Sequence, residues 1–469
     1  MNVKQSKMLI RGILCSSKSG ESYPLFSPVD GRLIAEIPEA TIEDVEMACE
    51  VAHQSFYNEW KTVDRNEKRK LFASLKISLN KFAGEIHSAK VLPLDSSEIP
   101  PLVDRLIDYY VGKLDEPTGE VFEQNDNLSC QTIREPLGAV AIFVPFNGAL
   151  LGTILAAIPA LIAGNTIVVK APVQEAAQAL KVVEAFNAAG FPPGVVNILS
   201  GKEFGIGEAL AEHPLIRLVS FTGNTATGQK IMASASKGLK RVQLNLGSKT
   251  VQIVSADADI SKAVNATVAS AYPGQACSAI SRVLIHQSVR EEFLQLLKSR
   301  SLESDPCLLI DQTAIQRVER YIDLGKKTGE LLFGGQKPVD EKYAKGCYFE
   351  PTCFLFEDQS NPVCREEIFG PVLSVIEFDD DNEALNLAND TDFGLLASIW
   401  TENPQQEQFF VSRLETGIVG VNNNGRIDHR TPWGGFKQSG IGRRYGQLGL
   451  DVFYECKTIW KSNLLANSD

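Results

Sequence analysis

Between Ala139 and Phe221 short apolar runs alternate with amphipathic ones so regularly that few folds can accept the pattern. Ala139–Val144, Thr166–Lys170, Val195–Leu199 and Arg217–Phe221 read as strands, with Ala149–Ala163, Glu175–Ala189 and Ile206–Glu212 as the helices between them. Strands always separated by a helix pair in parallel through right-handed crossovers, which predicts a doubly wound α/β sheet. Ligands of such sheets sit outside the carboxyl ends of the strands. Here those positions hold Pro145-Phe146-Asn147, Lys170-Ala171-Pro172, Ser200-Gly201 and Thr222-Gly223-Asn224. The last precedes a helical run whose free N–H groups would meet a phosphate.

Residues 137–169 carry no charge and are long enough to span a bilayer. Pro145, Asn147, Pro159 and Gly164-Asn165-Thr166 break the run into strand, turn, buried helix, turn and strand, so no membrane span is expected. At 469 residues, 44% hydrophobic and 22% charged, the chain reads as two or three packed units of a globular protein. A net charge of -12, a pI near 5.2 and the lack of a long basic block argue against a nucleic-acid partner, which requires clustered cations. The N-terminus has no apolar export core. Nine cysteines, an odd number without zinc-type spacing, predict a reduced, cytoplasmic protein with no metal site.

One of the nine stands apart. In Tyr272-Pro273-Gly274-Gln275-Ala276-Cys277-Ser278-Ala279 a thiol flanked by small residues follows a Pro-Gly turn, the setting of a reachable nucleophile and not of core packing. The strands Val242–Leu246 and Val251–Val254 and the helix Ile260–Tyr272 lead to it, and Ser281–His286 resumes the sheet. Further on come Arg365-Glu366-Glu367-Ile368-Phe369-Gly370-Pro371 and a glycine-rich loop, Pro432 to Arg443. Taken singly these have plainer readings. Asn147 suits a helix cap, Glu367 a surface acid, Phe369 core and Lys170 a solvated strand end.

Taken in order, Arg134–Asn147, Gly164–Lys170, Gly190–Asn197, Phe221–Gly228, Leu246–Lys249, Gly274–Cys277, Glu366–Pro371 and Pro432–Gly442 resemble the aldehyde dehydrogenase superfamily. The resemblance implies two doubly wound α/β domains, a Rossmann-type cofactor domain and a catalytic domain, with a small β oligomerisation flap. It places the cofactor domain at 1–120 and 139–244, the catalytic domain at 245–444, and the flap at 121–138 with 445–469. It implies NAD(P)-dependent oxidation of an aldehyde through a Cys277 thiohemiacetal and thioester, with the Asn147 amide on the oxyanion. NAD or NADP would touch Val144, Pro145, Phe146, Lys170, Gly207, Phe221, Gly223, Asn224, Glu367 and Phe369. A homodimer or homotetramer joined through flap edges is also implied.

The departures matter as much as the matches. Hydrolytic members carry a base glutamate where this chain has Asn245, which cannot take a proton at neutral pH. A lysine of some hydrolytic members aligns with Ala156, and a glutamate near the end of the last loop aligns with Arg444. Three fates follow for the chemistry: transfer of the acyl group to a thiol such as coenzyme A, slower hydrolysis, or an impaired enzyme that works in reduction or only binds nucleotide. The acid that often bonds the adenine ribose is replaced by Val173, which admits NADP, and the part played by Glu175 is open.

Overall fold

The structure, a computed structural model, describes residues 4–92, 99–125 and 128–462. Met1-Asn2-Val3, Asn127 as the start of a predicted strand, and the tail 463–469 assigned to the flap lie outside them. Among the described residues two large sheets and four small ones, two of three strands and two of two, organise the chain.

The first sheet has eight strands. Its five parallel members run, in spatial order, Arg241–Asn245, Ile216–Thr222, Ala139–Phe143, Thr166–Lys170 and Val196–Leu199. Numbered along the chain this is 5-4-1-2-3, so strand order reverses between Ala139–Phe143 and Ile216–Thr222, and a crevice opens beyond Phe143 and Thr222. Ala139–Phe143 is buried throughout and the helix Ala149–Ile162 after it almost throughout, as expected of a strand covered on both faces and a helix packed between layers.

Three short strands that the sequence did not announce extend this sheet. Met8–Ile10 pairs antiparallel with Val196–Leu199, and Ile13–Cys15 pairs with Met8–Ile10 across a two-residue turn in which Arg11 and Gly12 both have positive φ (57 and 72). At the opposite edge Gly440–Ile441 lies antiparallel to Arg241–Asn245, returning the glycine-rich loop to the cofactor sheet. The helices predicted at Thr41–Phe56, Arg65–Leu79 and Leu102–Val111 are present as Ile42–Asn58, Arg65–Ser88 and Ile99–Gly112. Thr41 and Asp44 form a reciprocal capping box on the first. The second runs longer because Phe82 and Ile86 continue its apolar stripe against the core.

The second sheet has seven strands, in the order Glu330–Phe333, Thr352–Phe356, Val372–Phe378, Arg282–His286, Val251–Val254, Leu396–Trp400 and Ile418–Val421. All are parallel except the antiparallel edge strand Glu330–Phe333. The segment 246–250 links Asn245, at the carboxyl end of one sheet, to Val251, at the amino end of the other. The cysteine loop and Glu366–Pro371 also lie just before strands of the second sheet, so both motifs face the crevice of the first.

A third sheet joins Val121–Asn125, Leu128–Pro136 and Tyr454–Ser462, the last two paired along nine residues. Val121 (79% exposed) and Trp460 (57%) stand out on it. Among the described residues no helix is long and apolar enough to cross a membrane.

Candidate active site

The cysteine loop is held by its neighbours and not by local structure. Gly274 has φ +58, and a Cβ there would come 2.6 Å from the Gly370 carbonyl carbon, so only glycine lets the two loops meet. The buried Gln275 side chain donates to Leu308 O at 2.8 Å and accepts the Ile310 N–H at 2.9 Å. Cys277 is half-buried, whereas Cys49, Cys307, Cys353 and Cys364 are buried. Burial pushes its thiol up to about 11. Glu367 adds to the rise, while the N–H groups of Cys277 and Ser278 and the Arg444 guanidinium oppose it.

Asn147 does not cap a helix. The cap position of Ala149–Ile162 is Gly148, which offers no side-chain bond, and the Asn147 amide instead crosses to the second sheet and donates to Gln275 O at 2.8 Å. That bond uses one of its two N–H donors and lays the amide beside the cysteine loop, leaving the second for an oxyanion. Asn147→Ala is expected to lower kcat by about 10²–10³-fold with a smaller change in KM, measured as steady-state NAD(P)H formation.

The remaining predicted residues line the crevice unevenly. The Val144 N–H donates to Lys170 O at 3.2 Å, and Pro145 packs on Gly152. Phe146 meets Phe369 edge to face at 5.7 Å. Phe369 has φ +56, a strained value held by Arg317, which donates to Ile368 O (2.7 Å) and Phe369 O (3.3 Å). Gly207 lies in the helix Phe204–Glu212, under the Phe143 ring. A Cβ on Gly223 would strike the Phe221 ring at 2.5 Å. The Gly223 N–H donates to Asn245 O, and Asn224 caps the helix Thr225–Ser236 through the Thr227 N–H at 2.8 Å. This bare glycine turn before a capped helix fits a pyrophosphate.

Two expected ribose contacts are turned inward. The Glu367 carboxylate accepts the Ser248 N–H at 2.9 Å and presses on Gly247, where a Cβ would lie 2.4 Å from Oε2; burial raises its pKa. Beside it Lys249 Nζ is buried without a partner among the described residues, and burial brings it down to about 7. Lys170 Nζ donates to Gly201 O (2.6 Å) and Ala171 O (3.0 Å), and burial lowers it to about 8. Glu175 does not replace the acid missing at Val173. Its carboxylate accepts the N–H groups of Val91 and Leu92, at 2.7–3.0 Å, away from Lys170. The acid coupled to Lys170 is Glu39, whose Oε1 accepts the Lys202 N–H at 2.7 Å and whose buried Oε2 has no partner among the described residues. Sequence reasoning missed Arg317, Gln275 and Glu39, because bonds to distant backbone groups leave no local signature.

Asn245 is 8% exposed and among the described residues its Oδ1 has no partner, nor has the buried Thr222 Oγ1 on the strand beside it. One strand step away, Ser220 donates to Gln243 Oε1 at 2.8 Å and accepts from Arg444 at 3.2 Å. Where a base is expected, the site therefore presents an amide and a buried guanidinium.

The aldehyde dehydrogenase family model matches residues 15–459. The betaine aldehyde dehydrogenase of Bacillus subtilis is 31% identical over 478 residues, 97% of each chain. Human retinaldehyde dehydrogenase 3 is 32% identical over 480 residues, 98% of this chain and 93% of that protein. The Staphylococcus aureus betaine aldehyde dehydrogenase, solved in complex with NAD+, superposes with a TM-score of 0.94 at 28% identity, over 97% of this chain and 94% of that one. With two parallel sheets meeting at a cysteine loop and an asparagine amide, the chain belongs to the aldehyde dehydrogenase family, NAD(P)-dependent oxidoreductases of the aldehyde group.

Proposed function

We propose that Cys277 is the nucleophile and Asn147 the oxyanion donor of an aldehyde oxidation in which the acyl group is not released by base-assisted hydrolysis. The observation that carries this reading is the Asn147 amide, fixed to Gln275 O with one N–H to spare. The Cys277 sulfur adds to the aldehyde carbon, and the carbonyl oxygen becomes an oxyanion stabilised by Asn147 and backbone N–H of the loop. Loss of hydride from that carbon leaves a thioester on Cys277. NAD or NADP, held by Gly223, Asn224 and the first N–H groups of Thr225–Ser236, with Phe146 and Phe369 bracing the ring, supplies the hydride acceptor. Lys170 and Glu367 would serve the two riboses after turning out from their present bonds.

Deacylation differs from the hydrolytic pattern because Asn245 and Ala156 accept no proton. A thiol acceptor such as coenzyme A needs no such base and is favoured, with slow hydrolysis as the competing route. Rapid mixing with an aldehyde panel is expected to give a stoichiometric burst of NAD(P)H followed by slow turnover that coenzyme A accelerates. Fast linear turnover without a burst would contradict this. The division at residues 120, 139 and 245 and a homo-oligomer closed over the flap belong to the same proposal, supported by the separate three-stranded sheet and its exposed Val121 and Trp460.

A further inference from the structure

Residues 367–369 belong to no helix or strand, and side chains and N–H groups from elsewhere hold them. Most come from one face of the helix Gln312–Gly325, which Asp311 caps by accepting the Ala314 N–H at 2.9 Å. Arg317 donates from Nε to Ile368 O at 2.7 Å and from Nη2 to Phe369 O at 3.3 Å, so one planar fork spans two successive carbonyls. One turn further on, the Tyr321 hydroxyl donates to Glu366 Oε2 at 2.5 Å. Between the two, Val318 closes over Gly370, where a Cβ would lie 2.5 Å from its Cγ2, and Gly370 is also where Gly274 of the cysteine loop makes its close approach. At the start of the helix Gln174 of the first sheet's layer donates to Asp311 Oδ2 at 3.2 Å, so the same element is tied to both walls of the crevice. Among the described residues Arg317 pairs with no carboxylate, and both its bonds go to main chain.

An aromatic residue at φ +56 sits in a sparsely populated region and stays there only where its surroundings hold it. Release of the two carbonyls would let the Phe369 backbone return to negative φ and carry its ring away from Phe146, the neighbour of Asn147 that it meets edge to face at 5.7 Å. We propose that Arg317 is a positioning residue for hydride transfer, holding Phe369 in its left-handed conformation so that the ring stays where it braces the nicotinamide. This rests on the reading of Phe146 and Phe369 as the supports of that ring. Arg317 acts through Phe369 and touches neither the aldehyde nor the dinucleotide.

Calorimetric titration of the full chain with NAD+ and with ADP-ribose, which lacks the nicotinamide, isolates the contribution of the ring. Wild type is compared with Arg317→Met, Phe369→Ala and the double variant, and NADH formation is followed in a single turnover with aldehyde. Arg317→Met should weaken NAD+ about fivefold, leave ADP-ribose within about twofold and slow the single turnover about thirtyfold, because misplacing a reacting group by about 1 Å costs up to about 10²-fold. On the Phe369→Ala background the same change should add less than about twofold, the non-additivity of two groups that act as one. Effects that multiply would mean that Arg317 does not work through Phe369, and ADP-ribose weakened as much as NAD+ would mean that the guanidinium binds ribose or phosphate itself. Either result overturns the proposal. Should Arg317→Met not fold, Arg317→Gln makes the same comparison. Failure of the underlying reading looks different: Phe369→Ala would then bind NAD+ and ADP-ribose in the wild-type ratio.

Discussion

Cys277→Ala is expected to lower NAD(P)-dependent aldehyde oxidation by roughly 10⁴–10⁶-fold and to abolish the burst, since removing a covalent nucleophile leaves only binding and oxyanion stabilisation. Replacing one sulfur by hydrogen at a half-buried position costs about 1 kcal/mol of stability, so the variant should fold and still bind nucleotide. Stopped-flow absorbance of NAD(P)H gives the rate, and quenching of tryptophan fluorescence by the cofactor gives the binding. The same change at Cys15 or Cys456, also reachable by solvent, should leave turnover within about twofold, because neither lies on the loop that faces Asn147. If either of them mattered as much as Cys277, the crevice described above would not be where the reaction occurs.

Asn245→Glu is expected to raise steady-state release of the acid about 10²-fold while leaving burst amplitude unchanged. Asn245 Oδ1 is buried at the carboxyl end of its strand without a partner among the described residues, so a carboxylate would enter a position that now wastes an acceptor. General-base assistance contributes about 10²–10⁴-fold. The lower end applies because Arg444, linked through Ser220 and Gln243 to the same strand face, would hold the new carboxylate below its ordinary pKa and weaken it as a base. Acid release is followed by a pH indicator under multiple-turnover conditions. No gain over Asn245 would show that something other than the missing base limits deacylation.

The parallel core was legible in the sequence for a physical reason. Strands such as Ala139–Phe143, and Thr166–Lys170 between its ends, are continuous apolar runs bounded by turns, and the intervening helices leave no pairing but a crossover. Met8–Ile10 and Ile13–Cys15 escaped notice because each has three residues, one pairs with a strand about 190 positions away, and their turn is Arg-Gly where Asn-Gly would have signalled a hairpin. In the site, Cys277 stood out through its neighbours in the chain, whereas Asn147 read by itself as a helix cap and stood out through the family resemblance. The turning of Glu367 onto Ser248 and of Glu175 onto Val91 and Leu92 did not, since a carboxylate's partner is decided by packing between segments far apart in sequence. Arg444 lies between these cases. Its identity was visible as a departure from the family pattern, but its burial against Ser220 required the pairing of Gly440–Ile441 with Leu244 and Asn245.

The sharpest check is to mix the protein with aldehyde and NAD(P), quench in acid at the end of the burst, and weigh the cysteine-bearing peptides. An acyl group, two hydrogens lighter than the aldehyde adduct, is expected on the peptide that holds Cys277, in an amount equal to the burst of NAD(P)H. NAD(P)H formed with no acyl group there, or with the acyl group on another of the nine cysteines, would contradict a mechanism built on that thiol.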